Sequence, residues 1–145
     1  MTSPDAEPDS SSTSASHAET KLLPTDEFSQ YLLHSHGEML PIFRRLIDSV
    51  SQVTMIFNEG RDMVLSSLMD SGPNGLILEC GADAEMNRRA LKANKLFCVT
   101  QLDKVKIQFV VSGVTQVEIG KRPAFRAQMP ESLLRLQRRE HYRLV

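Results

Sequence analysis

The middle of the chain alternates short apolar segments with turn residues at a spacing typical of β-strands. Each segment is rich in β-branched and large apolar residues, and glycine, asparagine, aspartate or proline marks most of the turns between them. The segments are residues 52–57, 63–69, 76–80, 96–100, 105–111, 114–119 and 124–129. Six or seven such strands predict a small split or closed β-barrel, because closure removes exposed sheet edges.

Two short helices are predicted ahead of these strands, which makes the fold class mainly β with amino-terminal helices. The first helix starts at Thr25 or Asp26, either of which can cap it, and ends near His36. The second covers residues 39–50, where apolar positions recur on one side, and Pro41 is placed in its first turn. A polar connector over residues 82–94 has room for one or two helical turns.

The two ends of the chain differ from this body. Residues 1–23 are mostly small, polar or acidic and contain almost nothing that could be buried, so we predict a disordered tail. Residues 24–130 are predicted to be one folded domain, of ordinary size for a single core. Residues 131–145 are predicted to be a linker that leads into a further element.

Composition and charge restrict the function only in part. The chain is 41% hydrophobic and 24% charged, as expected of a water-soluble globular domain. Its net charge of −1 hides an asymmetry, since residues 1–26 hold five acids and one base, which leaves 13 acids and 16 bases in the rest. An excess of three positive charges is too small for a general nucleic-acid binder, which usually has a basic face.

Several other functional classes find little support in the sequence. The patterns GxGxxG, Walker A, GxSxG and HExxH do not occur, so nothing indicates an enzyme. His34 and His36 form an HxH pattern without a visible third ligand, and a surface or capping role is the more frequent one. Cys80 and Cys98 are predicted to be reduced thiols in or near the core. With no signal peptide and no apolar stretch of about 20 residues, a cytoplasmic location is expected.

The last ten residues, 136–145, concentrate three arginines and one tyrosine. Arg139 and Arg143 are four residues apart, so both side chains lie on one face of either a helix or a strand. A guanidinium group can bind phosphate oxygens, contact the O6 and N7 atoms of guanine, or stack on a base. Spacing alone favours a simpler alternative, in which residues 131–139 continue as a basic amphipathic helix with a solvated charged face.

A resemblance to a known family favours nucleotide binding over this amphipathic helix. Residues 137–144 resemble the start of a PilZ domain, the bacterial receptor module for cyclic di-GMP, whose first motif is the arginine pair RxxxR. Arg139 and Arg143 match this pair, and Arg138 matches the arginine that often precedes it. The residues before them resemble the amino-terminal domain of the YcgR-type flagellar brake proteins. The resemblance covers residues 25–145.

One motif of that family is missing from this sequence. The second PilZ ligand motif, D/NxSxxG, should follow Arg143 by some tens of residues, where this sequence has none. We therefore expect the chain to be a fragment that carries one half of a nucleotide site. Weak or undetectable binding is expected of the 145 residues alone.

The resemblance implies a non-enzymatic regulator of flagellar motility that responds to cyclic di-GMP. Arg138, Arg139 and Arg143 are the expected ligand residues, cyclic di-GMP is the expected ligand, and no cofactor is expected. The expected protein partners are those of the flagellar motor and basal body, which would bring a cytoplasmic protein to the flagellum. Neither nucleic-acid polymers nor insertion into the membrane is expected.

Two alternatives from other classes stay open. Small split barrels also occur in flavin reductases, so the domain could hold FMN as an oxidoreductase, although the sequence has no evident phosphate loop and no tryptophan. Alternatively, the domain could serve only in protein interaction, with the ligand site lying wholly beyond residue 145. The pair Arg88 and Arg89 could then contact a partner, although a solvated loop is the more frequent role for such a pair.

Overall fold

The computed structural model describes Leu22 and residues 31–136, and this part contains nine strands and two helices. The strands are β1 (Leu32–Leu33), β2 (Gln52–Phe57), β3 (Asp62–Gly72), β4 (Gly75–Glu79), β5 (Leu96–Leu102), β6 (Val105–Val111), β7 (Val114–Ile119), β8 (Arg122–Ala127) and β9 (Leu133–Leu136). The helices are α1 (His36–Asp48), between β1 and β2, and α2 (Ala84–Lys92), between β4 and β5.

All nine strands belong to one antiparallel sheet with the order β1-β9-β6-β5-β2-β3-β4-β8-β7. The mainly β fold is confirmed, and each of the seven predicted strand segments overlaps one of β2 to β8. The sheet is not closed, since β1 and β7 are its two edges and no pairing within residues 31–136 joins them. The predicted count of six or seven strands omits β1 and β9.

Strand β3 connects the two halves of the sheet. Residues 62–67 of this 11-residue strand pair with β2, whereas residues 68–72 pair with β4. The register shifts between Leu68 and Asp70, so Met69 is an extra residue in β3. Such a bulge bends a strand and increases its twist. The bend accounts for the single core to which both halves of the sheet, the smaller of them β4-β8-β7, contribute.

One hydrophobic core is shared by α1 and both halves of the sheet. Its fully buried members include residues of α1, β2, β4, β5 and β8: Met39, Phe43, Leu46, Val53, Met55, Leu76, Leu78, Leu96, Cys98 and Phe125. The rings of Phe43 and Phe109 meet edge to face, with centroids 5.2 Å apart. Full burial of a large apolar side chain stabilises a fold by about 1.5–3 kcal/mol. This core therefore holds the bent sheet around the helix.

Helix α1 begins with a capping motif at its amino terminus. The hydroxyl of Ser35 accepts a hydrogen bond from the Glu38 backbone N–H at 3.2 Å and lies 3.2 Å from the Glu38 carboxylate. This Ser-x-x-Glu pattern is a sequence signal for a helix start. The helix therefore begins at His36, where the first predicted helix was expected to end.

Three predictions about the helices need correction. Of the first predicted helix, residues 25–30 lie outside the described residues, while Leu32–Leu33 form a strand. Pro41 is the sixth residue of α1 rather than part of its first turn, so the helix has one more turn than expected before the proline. Within the described residues only α1 precedes β2, and the second helix, α2, follows β4 instead.

Helix α2 lies within the predicted polar connector, where one or two helical turns were expected, and it is nine residues long. Ion pairs join it to the sheet. Asp83 caps it by accepting hydrogen bonds from the backbone N–H groups of Glu85 and Met86, at 2.9 and 3.2 Å. Arg89 forms an ion pair with Asp62 at the start of β3, at 3.2 Å, and a second with Glu85 at 3.4 Å. Arg89 therefore has a structural role in holding α2 against β3.

Val50, which follows the carboxyl-terminal cap of α1, has an unusual backbone conformation. The backbone N–H of Val50 bonds to the carbonyl of Ile47, and that of Ser51 bonds to the carbonyl of Leu46, both at 3.1 Å. This arrangement is a Schellman motif, which needs a left-handed residue and usually has glycine there. Val50 occupies this position with φ of 51° and is 73% exposed. A β-branched residue is strained in this conformation.

We expect Val50→Gly to raise the free energy of unfolding by about 1 kcal/mol, because relief of the left-handed strain exceeds the entropy cost of glycine. Urea denaturation of the two proteins measures the difference.

The matched control is Val50→Ala, which keeps a Cβ atom but removes the branch. Its stability should fall between those of the wild type and the glycine variant. A glycine variant less stable than the wild type would show that Val50 makes contacts worth more than its backbone strain.

Candidate functional site

Strand β9 is the part of the structure that leads toward the arginine-rich end of the chain. It lies between β6 and β1 and is antiparallel to both. Leu133 lies opposite Phe109, Leu134 lies opposite Gln108, and Leu136 lies opposite Lys106. Strand β9 has hydrogen-bonded neighbours on both sides at Leu133 and Leu134 and pairs with β6 alone at Arg135 and Leu136. The chain is therefore held in the sheet as far as Leu136.

The leucines of β9 are buried on both faces of the sheet. Leu133 faces the core and is 0% exposed, while Leu134 faces the opposite side and is 1% exposed. Only Arg135 among the four residues is exposed. The alternative of a helix over residues 131–139 is therefore wrong for residues 133–136. The apolar pair Leu133-Leu134 was the available signal, since a strand covered on both faces does not alternate.

Leu133 also links β9 to helix α1. Its cross-strand neighbour is Phe109, whose ring packs against that of Phe43. Cross-strand pairs and edge-to-face rings each add a fraction of a kcal/mol to about 1.5 kcal/mol of stability. Strand β9 precedes the arginine-rich residues 137–145, called the arm below, and is thus connected to the hydrophobic core.

The last described residue of β9, Leu136, lies beside the turn between β5 and β6. This two-residue turn consists of Asp103 and Lys104, with φ of 54° and 67°, the backbone of a type I′ hairpin. Asp103 forms an ion pair with Arg45 of α1. The turn and the helix are therefore joined by charge at the end of the sheet where β9 ends.

A groove of about 200 Å³ lies at this end of the sheet, between α1 and the strands. It is lined by Glu38, Pro41, Ile42, Arg45, Leu102, Asp103, Val105, Ile107 and Arg135. Arg135 has no ion pair with any residue in the described part of the chain. The groove thus brings two arginines, Arg45 and Arg135, together with the carboxylates of Glu38 and Asp103.

The predicted ligand residues Arg138, Arg139 and Arg143 lie outside the described residues. Their assignment therefore stays a prediction. Arg135 and Arg45, which sequence reasoning did not select, are the arginines that the structure brings to the end of the sheet where β9 ends. A signal for Arg135 existed, because it precedes Arg139 by four residues.

The other chemically distinctive residues occupy structural positions. His36 is the first residue of α1, and no group of three histidine, cysteine, aspartate or glutamate residues among those described could hold a metal ion. Cys80 and Cys98 are both free thiols. Complete burial raises the pKa of the Cys98 thiol, and partial burial followed by the charge of Glu79 raises the pKa of the Cys80 thiol. Neither environment favours a reactive thiolate.

Comparison with known proteins agrees with this arrangement. The model of the flagellar regulator YcgR, PilZN domain, matches residues 31–135. The chain is 40% identical over 125 residues to the flagellar brake protein YcgR of Azoarcus sp. strain BH72, covering 85% of this chain and 48% of that protein. For the flagellar brake protein YcgR of Thauera aminoaromatica, identity is 37% over 120 residues, covering 82% and 46%.

Solved structures lead to the same family. The structure of YcgR from Escherichia coli in complex with c-di-GMP matches with a TM-score of 0.72 and 27% identity, covering 76% of this chain and 48% of that one. The isolated YcgR-N domain from the same organism matches with a TM-score of 0.69 and 26% identity, covering 74% and 96%.

The described residues define a small β domain, in which one antiparallel sheet and helix α1 share a single core. The chain belongs to the family of the flagellar regulator YcgR, PilZN domain. It spans about half the length of the curated relatives it matches. None of the helices in the described residues is long and apolar enough to cross a membrane.

We expect Leu133→Ala to lower the free energy of unfolding by about 2–5 kcal/mol, because it leaves a cavity between β9 and the Phe109 ring. Urea denaturation of the 145-residue chain measures this loss.

The matched control is Arg135→Ala in the same strand, whose exposed side chain should change stability by less than about 0.5 kcal/mol. Equal stability of the two variants would show that β9 is not anchored through Leu133.

Proposed function

We propose that this chain is the amino-terminal part of a cyclic di-GMP-responsive regulator of flagellar motility, a flagellar brake. In this proposal residues 24–130 form the YcgR-like domain, residues 131–145 lead into a PilZ domain, and residues 1–23 are a tail. The single observation that supports it most is the family match over residues 31–135, which ends just before the RxxxR pair. A relative solved with c-di-GMP supports the choice of ligand.

Arg138, Arg139 and Arg143 are the proposed ligand residues. Cyclic di-GMP carries two phosphodiesters and two guanines, so arginines can both neutralise its charge and bind the O6 and N7 edges of its bases. Arg139 and Arg143 are proposed to act together as phosphate and guanine ligands. The adjacent Arg138 is proposed to bind the ligand as well or to act as a switch. Because β9 is fixed in the sheet, the first of these residues lies only two positions beyond an anchored residue, Leu136.

The location and partners of the protein are part of the same proposal. We place it in the cytoplasm, associated with the basal body of the flagellum, with proteins of the flagellar motor as its partners. The names of the curated relatives support this placement, since each is a flagellar brake protein. The regulator is proposed to act by binding rather than by catalysis.

The bent sheet is proposed to be a split barrel. Support comes from the bulge in β3 and from the single core, to which Leu76 and Phe125 of the smaller half and Met55 of the larger half all contribute.

We expect calorimetric titration of cyclic di-GMP into a chain extended through a complete PilZ domain to show binding. Arg139→Ala and Arg143→Ala should each weaken it by about 5- to 150-fold, since a bidentate arginine–guanine contact contributes about 1–3 kcal/mol.

The matched control is Arg61→Ala, which changes an exposed arginine in the turn between β2 and β3, at the opposite end of the sheet from Leu136. Its affinity should equal that of the wild type. If both arm variants also bind as tightly as the wild type, the arm is not the ligand site.

We also expect the ligand to change the angle between the two domains, because ordering a short arm fixes the direction of the chain that follows it. Small-angle scattering of the extended chain, with and without cyclic di-GMP, measures this change. Arg139→Ala serves as the control that should not respond. Identical wild-type curves in the two states would refute the reorientation while leaving ligand binding to the titration.

A further inference from the structure

Strand β7 is a free edge of the sheet. It pairs with β8 on one side, and no strand within residues 31–136 pairs with its other side. Four of its six residues are exposed: Thr115, Gln116, Glu118 and Ile119. The backbone N–H and C=O groups along such an edge form a template for another strand.

This edge lacks most of the usual protective features, although helix α2 contacts β7. Natural edge strands are commonly blocked by lysine, proline or a bulge. The sequence Val-Thr-Gln-Val-Glu-Ile contains no lysine or proline, and its register with β8 is unbroken from Val114 to Ile119. Its one charged residue is Glu118. The edge is therefore regular over its full length, with a single charge to oppose pairing.

The face of β7 that points away from the core carries two apolar residues beside the edge where a second strand would pair. Val114 faces the core, so the alternate residues Thr115, Val117 and Ile119 lie on the outer face. Ile119 is 43% exposed, which is high for an isoleucine. A shallow hollow of about 460 Å³ continues this face across the sheet, and its lining includes Ile77, Val117, Ile119 and Arg126.

The sequence of β7 complements itself in one register. A two-fold axis perpendicular to the sheet keeps each side chain on its own face, so antiparallel self-pairing must centre on a residue. Centring on Val117 places Val117 opposite its own copy, Thr115 opposite Ile119 and Gln116 opposite Glu118. No like charges meet in this register.

The neighbouring registers are less favourable. Centring on Glu118 would place two glutamates directly opposite each other, which is destabilising. Centring on Gln116 would place Val114, which faces the core, opposite the charge of Glu118. Charge and apolar area thus both favour the register centred on Val117.

We propose that β7 pairs with β7 of a second copy of this chain, antiparallel and centred on Val117, so that the two sheets become continuous. Because β7 and β9 lie toward opposite ends of the strand order, the pairing leaves both arginine-rich segments free. Five residues of each copy, 115–119, pair in this register and form a small interface, so the dimer dissociates in the micromolar range.

Sedimentation velocity over a concentration series tests the pairing, together with a charge exchange at Val117. The wild type should shift from monomer to dimer with rising concentration. Val117→Lys and Val117→Glu should each be monomeric, because like charges then meet at the axis. An equimolar mixture of the two variants should recover the dimer through a Lys–Glu pair.

Circular dichroism shows whether the variants are folded, and Val117→Thr provides a neutral substitution that should still dimerise. A wild type that is monomeric throughout, a charged variant that dimerises alone, or a mixture that stays monomeric would each overturn the proposal.

Cysteine cross-linking tests the register without depending on charge. At the axis, the Cα atoms of residue 117 lie about 4.5–5.5 Å apart, within the range of a disulfide. Val117→Cys should therefore form a covalent dimer under mild oxidation. In the same register the two copies of residue 115 are about 14 Å apart, so Thr115→Cys should not cross-link. The wild type, with Cys80 and Cys98, gives the background. Equal cross-linking at both positions would overturn the register.

Discussion

The structure depends on one strand that pairs with both halves of the sheet. Strand β3 pairs with β2 along residues 62–67 and with β4 along residues 68–72, and it bends at Met69 between the two. Without that bend the smaller half would extend the plane of the larger half and leave a flat apolar face. With it, Leu76 and Phe125 reach the same core as Met55 and helix α1. The single core is a consequence of the shared strand.

Helix α1 and strand β9 are both connected to this core. The Phe43–Phe109 contact and the pairing of Phe109 with Leu133 connect the helix to the strand that leads toward the arginines. The ion pair of Arg45 with Asp103 fixes the turn beside which that strand ends. In the proposed function, a ligand bound by the arm is therefore held next to a rigid structure.

Elements with a clear periodicity of apolar and polar residues could be predicted from the sequence, whereas elements without one could not. Seven strands were recognised because each is long enough to show β-branched residues between turns. Strand β1 has two residues and no period, and β9 has apolar residues on both faces. The helix start at Ser35 was missed although Ser35 and Glu38 form a recognisable cap. For the site, spacing could select Arg139 and Arg143. No sequence pattern could show that Arg45 and Arg135, which are 90 residues apart in the chain, line the same groove.

The position of β9 inside the sheet determines how the domain responds to a pull on its terminal segment. A strand at an edge, bonded along one side, can be peeled away one hydrogen bond at a time. Strand β9 is bonded to β6 along residues 133–136 and to β1 along residues 133–134. A pull along the axis of β9 therefore loads the hydrogen bonds to β6 in shear, and at Leu133 and Leu134 it also loads those to β1, so that several bonds must break together.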